Sequence, residues 1–284
     1  MTTPSIILRI VCPDRPGLVS TITSWISNYG GNIKHSDHHT DQDAGLFISR
    51  IEWNANNFPL NKIEINNHLE KIMININGKY YINYSDELPK VAIFVSKQNH
   101  CLIDLLWRVR NGELKMKVPL IISNHSDLEN IANDFNAKFV YIDTFNTAKS
   151  IVEDKFLNLL KEYEIDLVVL AKYMQILSDS FLKKFSSIIN IHHSFLPAFK
   201  GGQPYHRAWK RGVKLIGATA HYVTEDLDEG PIIEQCTVNV SHRDEVDDLI
   251  RKGRDIERIA LARAVRLHLN HQVFVYNSKT AVFD

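Results

Sequence analysis

Asp86-Glu87-Leu88-Pro89 is the stretch at which the sequence changes its rhythm, and both halves of the fold are read outward from it. Upstream, residues 5–12 (SIILRIVC) are short, apolar and β-branched, which is the pattern of a strand. Asp14-Arg15-Pro16-Gly17 breaks that strand and opens a helix with Leu18, Ile22 and Ile26 on one face, and Gly30-Gly31 ends it. Strands over 32–40 and 45–53, joined by Thr40-Asp41-Gln42-Asp43, lead to a second helix over about 59–73. Asn77-Gly78 then turns the chain into a last strand, Tyr80 to Tyr84.

The order β-α-β-β-α-β is the ferredoxin-like arrangement and is complete in itself. Downstream of Pro89 strands alternate with helices: strands over 90–96, 118–123, 138–142 and 166–171, helices over about 100–111, 126–135 and 147–163. Alternation of this kind predicts a parallel sheet covered on both faces. Further strands are expected over 187–193, 213–223 and 231–239, a helix over 204–211, a long helix over about 244–269, and a short strand from Val273 to Tyr276. The fold class is therefore α/β. A ferredoxin-like domain spans 1–85, a linker 86–89, and a doubly wound, mostly parallel-sheet domain 90–284.

Composition excludes several functions. Of 284 residues, 44% are hydrophobic and 23% charged, as in a soluble globular protein. Lys+Arg and Asp+Glu stand at 33 each, so neither nucleic acid nor an anionic membrane is an expected partner. Cys12, Cys101 and Cys236 are widely spaced and odd in number, which suits buried free thiols and neither a disulfide framework nor a zinc site. The N-terminal apolar run is broken by Arg9 and lacks a basic segment before it, and the run Leu167 to Ala171 is too short to span a bilayer. A cytoplasmic protein is expected.

The chemistry concentrates between Asn190 and Gln235. Period two on the strand at 187–193 puts Asn190 and His192 on one side and Ile191 and His193 on the other, so the two histidines are not expected to line one site. The C-terminal end of such a strand is where open α/β sheets bind ligands. His221 lies on the next strand, and the loop from Thr224 to Gly230 delivers Glu225, Asp226, Asp228 and Glu229. A carboxylate beside a histidine supplies a proton acceptor and its orienter, and a side-chain amide can hold an oxyanion. These residues by themselves imply an acyl-group hydrolase or transferase with no metal. No GxSxG, HExxH or Walker loop competes.

In the N-terminal half, Asp14-Arg15-Pro16-Gly17-Leu18-Val19 sits at a strand-to-helix turn and resembles the ACT family of small regulatory domains. Gly17 permits close backbone approach, and the helix start at Leu18 offers free N–H groups to a carboxylate. The resemblance implies a free amino acid as effector at Asp14, Arg15, Gly17 and Leu18; an oligomerisation module is the other reading of the same turn. His35, His38 and His39 are not read as a metal site, because 38 and 39 on a strand point to opposite faces.

The stretch Asn190-Ile191-His192-His193-Ser194-Phe195-Leu196-Pro197, then His221-Tyr222-Val223, then Asp228-Glu229-Gly230-Pro231-Ile232-Ile233-Glu234-Gln235, resembles the folate-dependent formyltransferase family over about 88–280. The resemblance implies Asn190, His192 and Asp228 as the catalytic trio, and Met174, Gln175, Leu177, His221 and Val223 as folate contacts, without metal or other cofactor. The ACT-like module, His193, and the glycine-free loop Ser96-Lys97-Gln98-Asn99-His100-Cys101-Leu102 resemble the family's hydrolytic members. Relatives that use a ribonucleotide cradle its phosphate with a glycine-rich loop there. The implied activity is hydrolysis of 10-formyltetrahydrofolate to tetrahydrofolate and formate, which sets the one-carbon pool and feeds purine synthesis; transfer to glycinamide ribonucleotide or another amine is the alternative. Lys200-Gly201-Gly202-Gln203 departs from the family pattern. ACT-like sheets pair edge to edge, so a homo-oligomer, dimer or tetramer, is expected.

Overall fold

The structure is a computed structural model and describes residues 4–198 and 204–284. The Lys200–Gln203 departure lies outside the described residues.

Residues 1–88, 270–274 and 281–284 form one compact unit. Its sheet has the order β2-β3-β1-β4, from β1 (Ser5–Pro13), β2 (Ile33–Asp41), β3 (Leu46–Asn54) and β4 (Lys79–Tyr84). One face is covered by α1 (Leu18–Asn28) and α2 (Lys62–Ile76). α1 buries Leu18, Ile22, Trp25 and Ile26, and the fully buried Trp53 of β3 lies edge-on to Trp25. α2 starts at Lys62, later than the expected 59, because Asn61 and Glu64 form a capping box that fixes its first turn. Asn77, at φ 50, ends it in the left-handed region. The sequence placed all of 90–284 in the second domain, yet 270–274 and 281–284 belong to the first unit. The Arg9 guanidinium donates to the Val273 carbonyl at 3.4 Å, and that of Arg50 to the Asn270 carbonyl at 3.2 Å.

Residues 89–269 and 275–280 form the second unit. Its sheet is built from β5 (Lys90–Val95), β6 (Lys117–Ser123), β7 (Lys138–Tyr141), β8 (Leu167–Leu170), β9 (Ile188–His192), β10 (Leu215–Tyr222) and β11 (Ile232–Asn239), in the order β11-β10-β9-β8-β5-β6-β7. The pairs from β9 through β8, β5 and β6 to β7 are parallel, and β10 pairs antiparallel with both β9 and β11. From β5 the chain winds outward to β6 and β7, then returns to β8 on the other side of β5. That reversal opens a crevice at the strands' C-terminal ends.

On one face Phe94, Leu170 and Ile188 pack with Phe156 of α5 (Lys149–Glu162) and with Tyr173, Leu177 and Phe181. α3 (His100–Arg110) and α8 (Val246–Leu269) cover the other face. Three further helices are α4 (Glu129–Asp134), α6 (Asp179–Lys184) and α7 (Pro204–Arg211), and a hairpin of β12 (Val273–Tyr276) and β13 (Lys279–Val282) closes the chain. α6 and β13 went unread: each spans only a few residues, too few for a period to register. No described helix is long and apolar enough to cross a membrane.

Candidate active site

β9 ends at His192, and antiparallel pairing with β10 sets Asn190 opposite His221 and His192 opposite Thr219. The 224–230 loop then brings Asp228 across the strand ends. Asp228 adopts φ 58, and the virtual side chain of Gly230 would lie 1.8 Å from the Tyr222 carbonyl oxygen, so only glycine permits this close approach. His192 Nδ1 lies 3.2 Å from Asp228 Oδ1. A carboxylate accepts, so Nδ1 carries the proton and Nε2 holds the lone pair. His192 is 6% exposed, and its Nε2 has no hydrogen-bond partner among the described residues.

The same logic fixes His221. Its Nδ1 sits 2.8 Å from the Tyr222 carbonyl oxygen and therefore donates, leaving Nε2 to accept from Asn190 Nδ2 at 3.3 Å. The Asn190 amide is thereby oriented. Its second N–H remains for an oxyanion, and its neighbour His221 is held neutral because burial pushes its pKa down. The hydrogen bond from His192 holds the Asp228 carboxyl below its ordinary value, against the opposing effect of burial. Asp228 is thus a stable anion and a weak base.

Asn190, His192, His221, Val223 and Asp228 line a cavity of about 340 Å³ together with Met174, Gln175, Ile176 and Leu177. The 171–178 segment is pinned at several points. The Ala171 amide donates to the Phe94 carbonyl at 2.8 Å, that of Met174 to Ser96 Oγ at 3.1 Å, and that of Ser178 to the buried Glu153 carboxylate at 2.7 Å. Leu177 is buried, whereas Met174 and Ile176 stand more than 60% exposed in a cavity wall, an apolar surface available to a flat ring. Gln235 serves the turn that follows β9: its Nε2 donates to the Leu196 carbonyl and to Thr219 Oγ1, both at 3.0 Å.

One expectation fails. His193 was assigned to the opposite face from His192, yet both line the cavity, with ring centroids 4.8 Å apart and planes 16° from parallel. The strand stops at His192, so alternation does not govern the next residue. Behind His193 lies a buried polar cluster that sequence reasoning missed, because its members come from separate segments. Lys172 Nζ is 3.2 Å from His193 Nδ1 and 3.4 Å from Glu257 Oε1. Tyr205 donates its hydroxyl to Glu257 Oε1 at 2.8 Å, and His100, from the glycine-free loop, donates Nε2 to Glu257 Oε2 at 2.7 Å. Burial alone would raise the Glu257 pKa, but the His100 hydrogen bond and the Lys172 charge hold it down to about 2. His100, Cys101 and Glu257 have metal-ligand types within reach of one another. Lys172 already supplies the cation there, and burial pushes the Cys101 thiol up, away from the thiolate a metal needs.

In the N-terminal unit, Gly17 caps α1 at φ 88 and no side chain caps that helix start. Arg15 donates to the Asn75 carbonyl at 3.0 Å, and the Asp14 amide to that of Gly45 at 2.9 Å. The Leu18 side chain is buried. His38 bonds through its two ring nitrogens to Ser36 and Ser49.

Both units have counterparts among known proteins. A formyl transferase family model matches residues 89–265 and an ACT domain model residues 6–56. A formyltetrahydrofolate deformylase from Synechocystis sp. is 56% identical, with 97% of each chain covered. The crystal structure of a formyltetrahydrofolate deformylase from Pseudomonas syringae pv. tomato superposes with a TM-score of 0.97 at 39% identity, covering 100% of this chain and 96% of that one. A glycinamide ribonucleotide transformylase from Symbiobacterium toebii matches at 30% identity and TM-score 0.66, covering 97% of its own length but 72% of this chain. The full-length matches carry both units, and the chain belongs to the formyltetrahydrofolate deformylase family.

Proposed function

We propose that the chain hydrolyses 10-formyltetrahydrofolate to tetrahydrofolate and formate, using Asn190, His192 and Asp228. The observation that carries the mechanism is the His192–Asp228 pair: Nδ1–H is engaged by the carboxylate, and Nε2, unpartnered and shielded from bulk solvent, belongs to a ring lining the cavity. The folate's flat ring packs on Met174, Gln175, Leu177 and Val223 and sets the formyl carbon beside Asn190. Water attacks that carbon, and its proton passes to His192 Nε2. Asp228 stabilises the imidazolium, a role suited to a carboxylate with a depressed pKa. The Asn190 amide donates to the oxyanion, and His221 keeps that amide oriented. The carbon–N10 bond then breaks, N10 takes the proton from His192, and formic acid loses its remaining proton to solvent. No metal or cofactor enters these steps.

The test is the origin of the oxygen. Reaction in ¹⁸O-water is expected to place one labelled oxygen in each formate molecule. No formate in the absence of an amine, with the formyl group recovered as the formamide of an added amine, points instead to formyl transfer.

Two further readings concern the first unit. A free amino acid docks its carboxylate on the open start of α1 at Gly17 and Leu18, with Asp14 and Arg15 flanking it; the uncapped N–H groups support this. β2 and β4 are the sheet's edges and pair with a second copy of the chain. The free cysteines suit the reducing cytoplasm.

A further inference from the structure

Lys172, Tyr205 and His100 converge on the Glu257 carboxylate, which is 1% exposed, and Lys172 links it to His193. Buried ionic clusters seldom stabilise a fold better than apolar packing, so this one invites a chemical explanation. A lysine ammonium has donors only. His193 Nδ1, 3.2 Å from Lys172 Nζ, therefore accepts, and the neutral ring carries its proton on Nε2. His192 has the opposite arrangement, with Nδ1–H on Asp228 and the lone pair on Nε2. The two rings lie stacked and line the same cavity.

We infer that His193 is a catalytic residue that holds the attacking water by its Nε2–H while His192 Nε2 takes the water's proton, with Lys172 and Glu257 as the residues that position it. The inference rests on the hydrolytic reading above. It also accounts for the choice of acceptor. Water has two lone pairs, so it accepts from His193 with one and attacks carbon with the other. An amine has a single lone pair and cannot do both. The stacked histidines therefore select water over an amine.

Five groups face His193: Lys172 from the segment after β8, His192 and Asp228 at the strand ends, Tyr205 from α7 and Glu257 from α8. Burial, then Lys172 and His192, push its pKa down to about 4, while Glu257 and Asp228 oppose them. The ring is neutral through the range in which the donor is needed.

The experiment compares His193→Gln, His193→Asn and His193→Ala in the full chain. Glutamine carries its amide N–H near the Nε2 position and asparagine near Nδ1. H193Q is expected to keep kcat within about tenfold of wild type, while H193N and H193A lose about 10²-fold or more. With aniline added, an amine whose only lone pair is on nitrogen, the ratio of formanilide to formate is expected to rise about tenfold in H193A. A purely structural role would not move that ratio. Equal kcat for H193Q and H193N, or an unchanged ratio, overturns the inference while leaving hydrolysis intact; absence of formate from wild type overturns both. Histidine ¹⁵N NMR of the wild-type protein reads the same claim without any variant that might misfold. An Nε2–H ring at His193 between pH 6 and 8 supports it, and a cationic or Nδ1–H ring contradicts it.

Discussion

At the residue scale, hydrogen-bond inventory decides the chemistry. Carbonyl, carboxylate and ammonium partners each fix one nitrogen of His221, His192 and His193, and so dictate what the other nitrogen can do. Asp228→Asn would let the amide donate to His192 Nδ1 and move the proton to Nε2. Its kcat is expected to fall about 10²–10⁴-fold with little change in KM, measured by steady-state formate release. Acid stability follows from His193. Its folded pKa of about 4 lies below its ordinary 6.5, so between those values the unfolded chain binds the extra proton. The contribution is complete above 6.5 and lost as pH falls toward 4. The lowered pKa of His221 acts in the same direction. The Tm of wild type is therefore expected to drop from pH 6.5 to 4, and the drop to be shallower in H193Q. That Asn190, His192 and Asp228 meet at one cavity was legible because a motif carries them. His193 was misassigned because strand alternation was carried one residue beyond the strand, and Lys172 and Glu257 are 85 positions apart.

At the element scale, local rules read well where a period runs for ten residues or more, and poorly where it does not. α1, α5 and α8 were placed within a few residues, whereas α6 was invisible until Ser178 was seen to cap it. α8 also contains a glycine that intrinsic propensity would exclude. At Gly253 an added Cβ would lie 2.0 Å from the Tyr205 hydroxyl oxygen, the group that donates to Glu257. Gly253→Ala gains roughly 0.5–1 kcal/mol in helix propensity. It is nonetheless expected to destabilise the protein by about 1–3 kcal/mol through overpacking. Urea denaturation checks the sign, and kcat should fall with it because Tyr205 leaves its carboxylate.

At the scale of the whole molecule, the change of rhythm at 86–89 located the transition between the two patterns, but it could not reveal that 270–274 and 281–284 join the first unit. Arg9 and Arg50 bond there to backbone carbonyls more than 200 residues away, which no local pattern encodes. For the first unit, Gly17→Ala puts a side chain where φ is 88. It is expected to weaken amino-acid binding at least about tenfold by distorting the helix start. Titration calorimetry with glycine and methionine measures this.

On the proposed mechanism water, activated by the His192–Asp228 pair, receives the formyl group. Formate release from 10-formyltetrahydrofolate with no amine present, compared between wild type and His192→Ala, measures that step. Wild type is expected to release one formate per tetrahydrofolate formed, and the variant to be slower by about 10²-fold or more. Equal rates for the two, or no formate from wild type, would contradict the account.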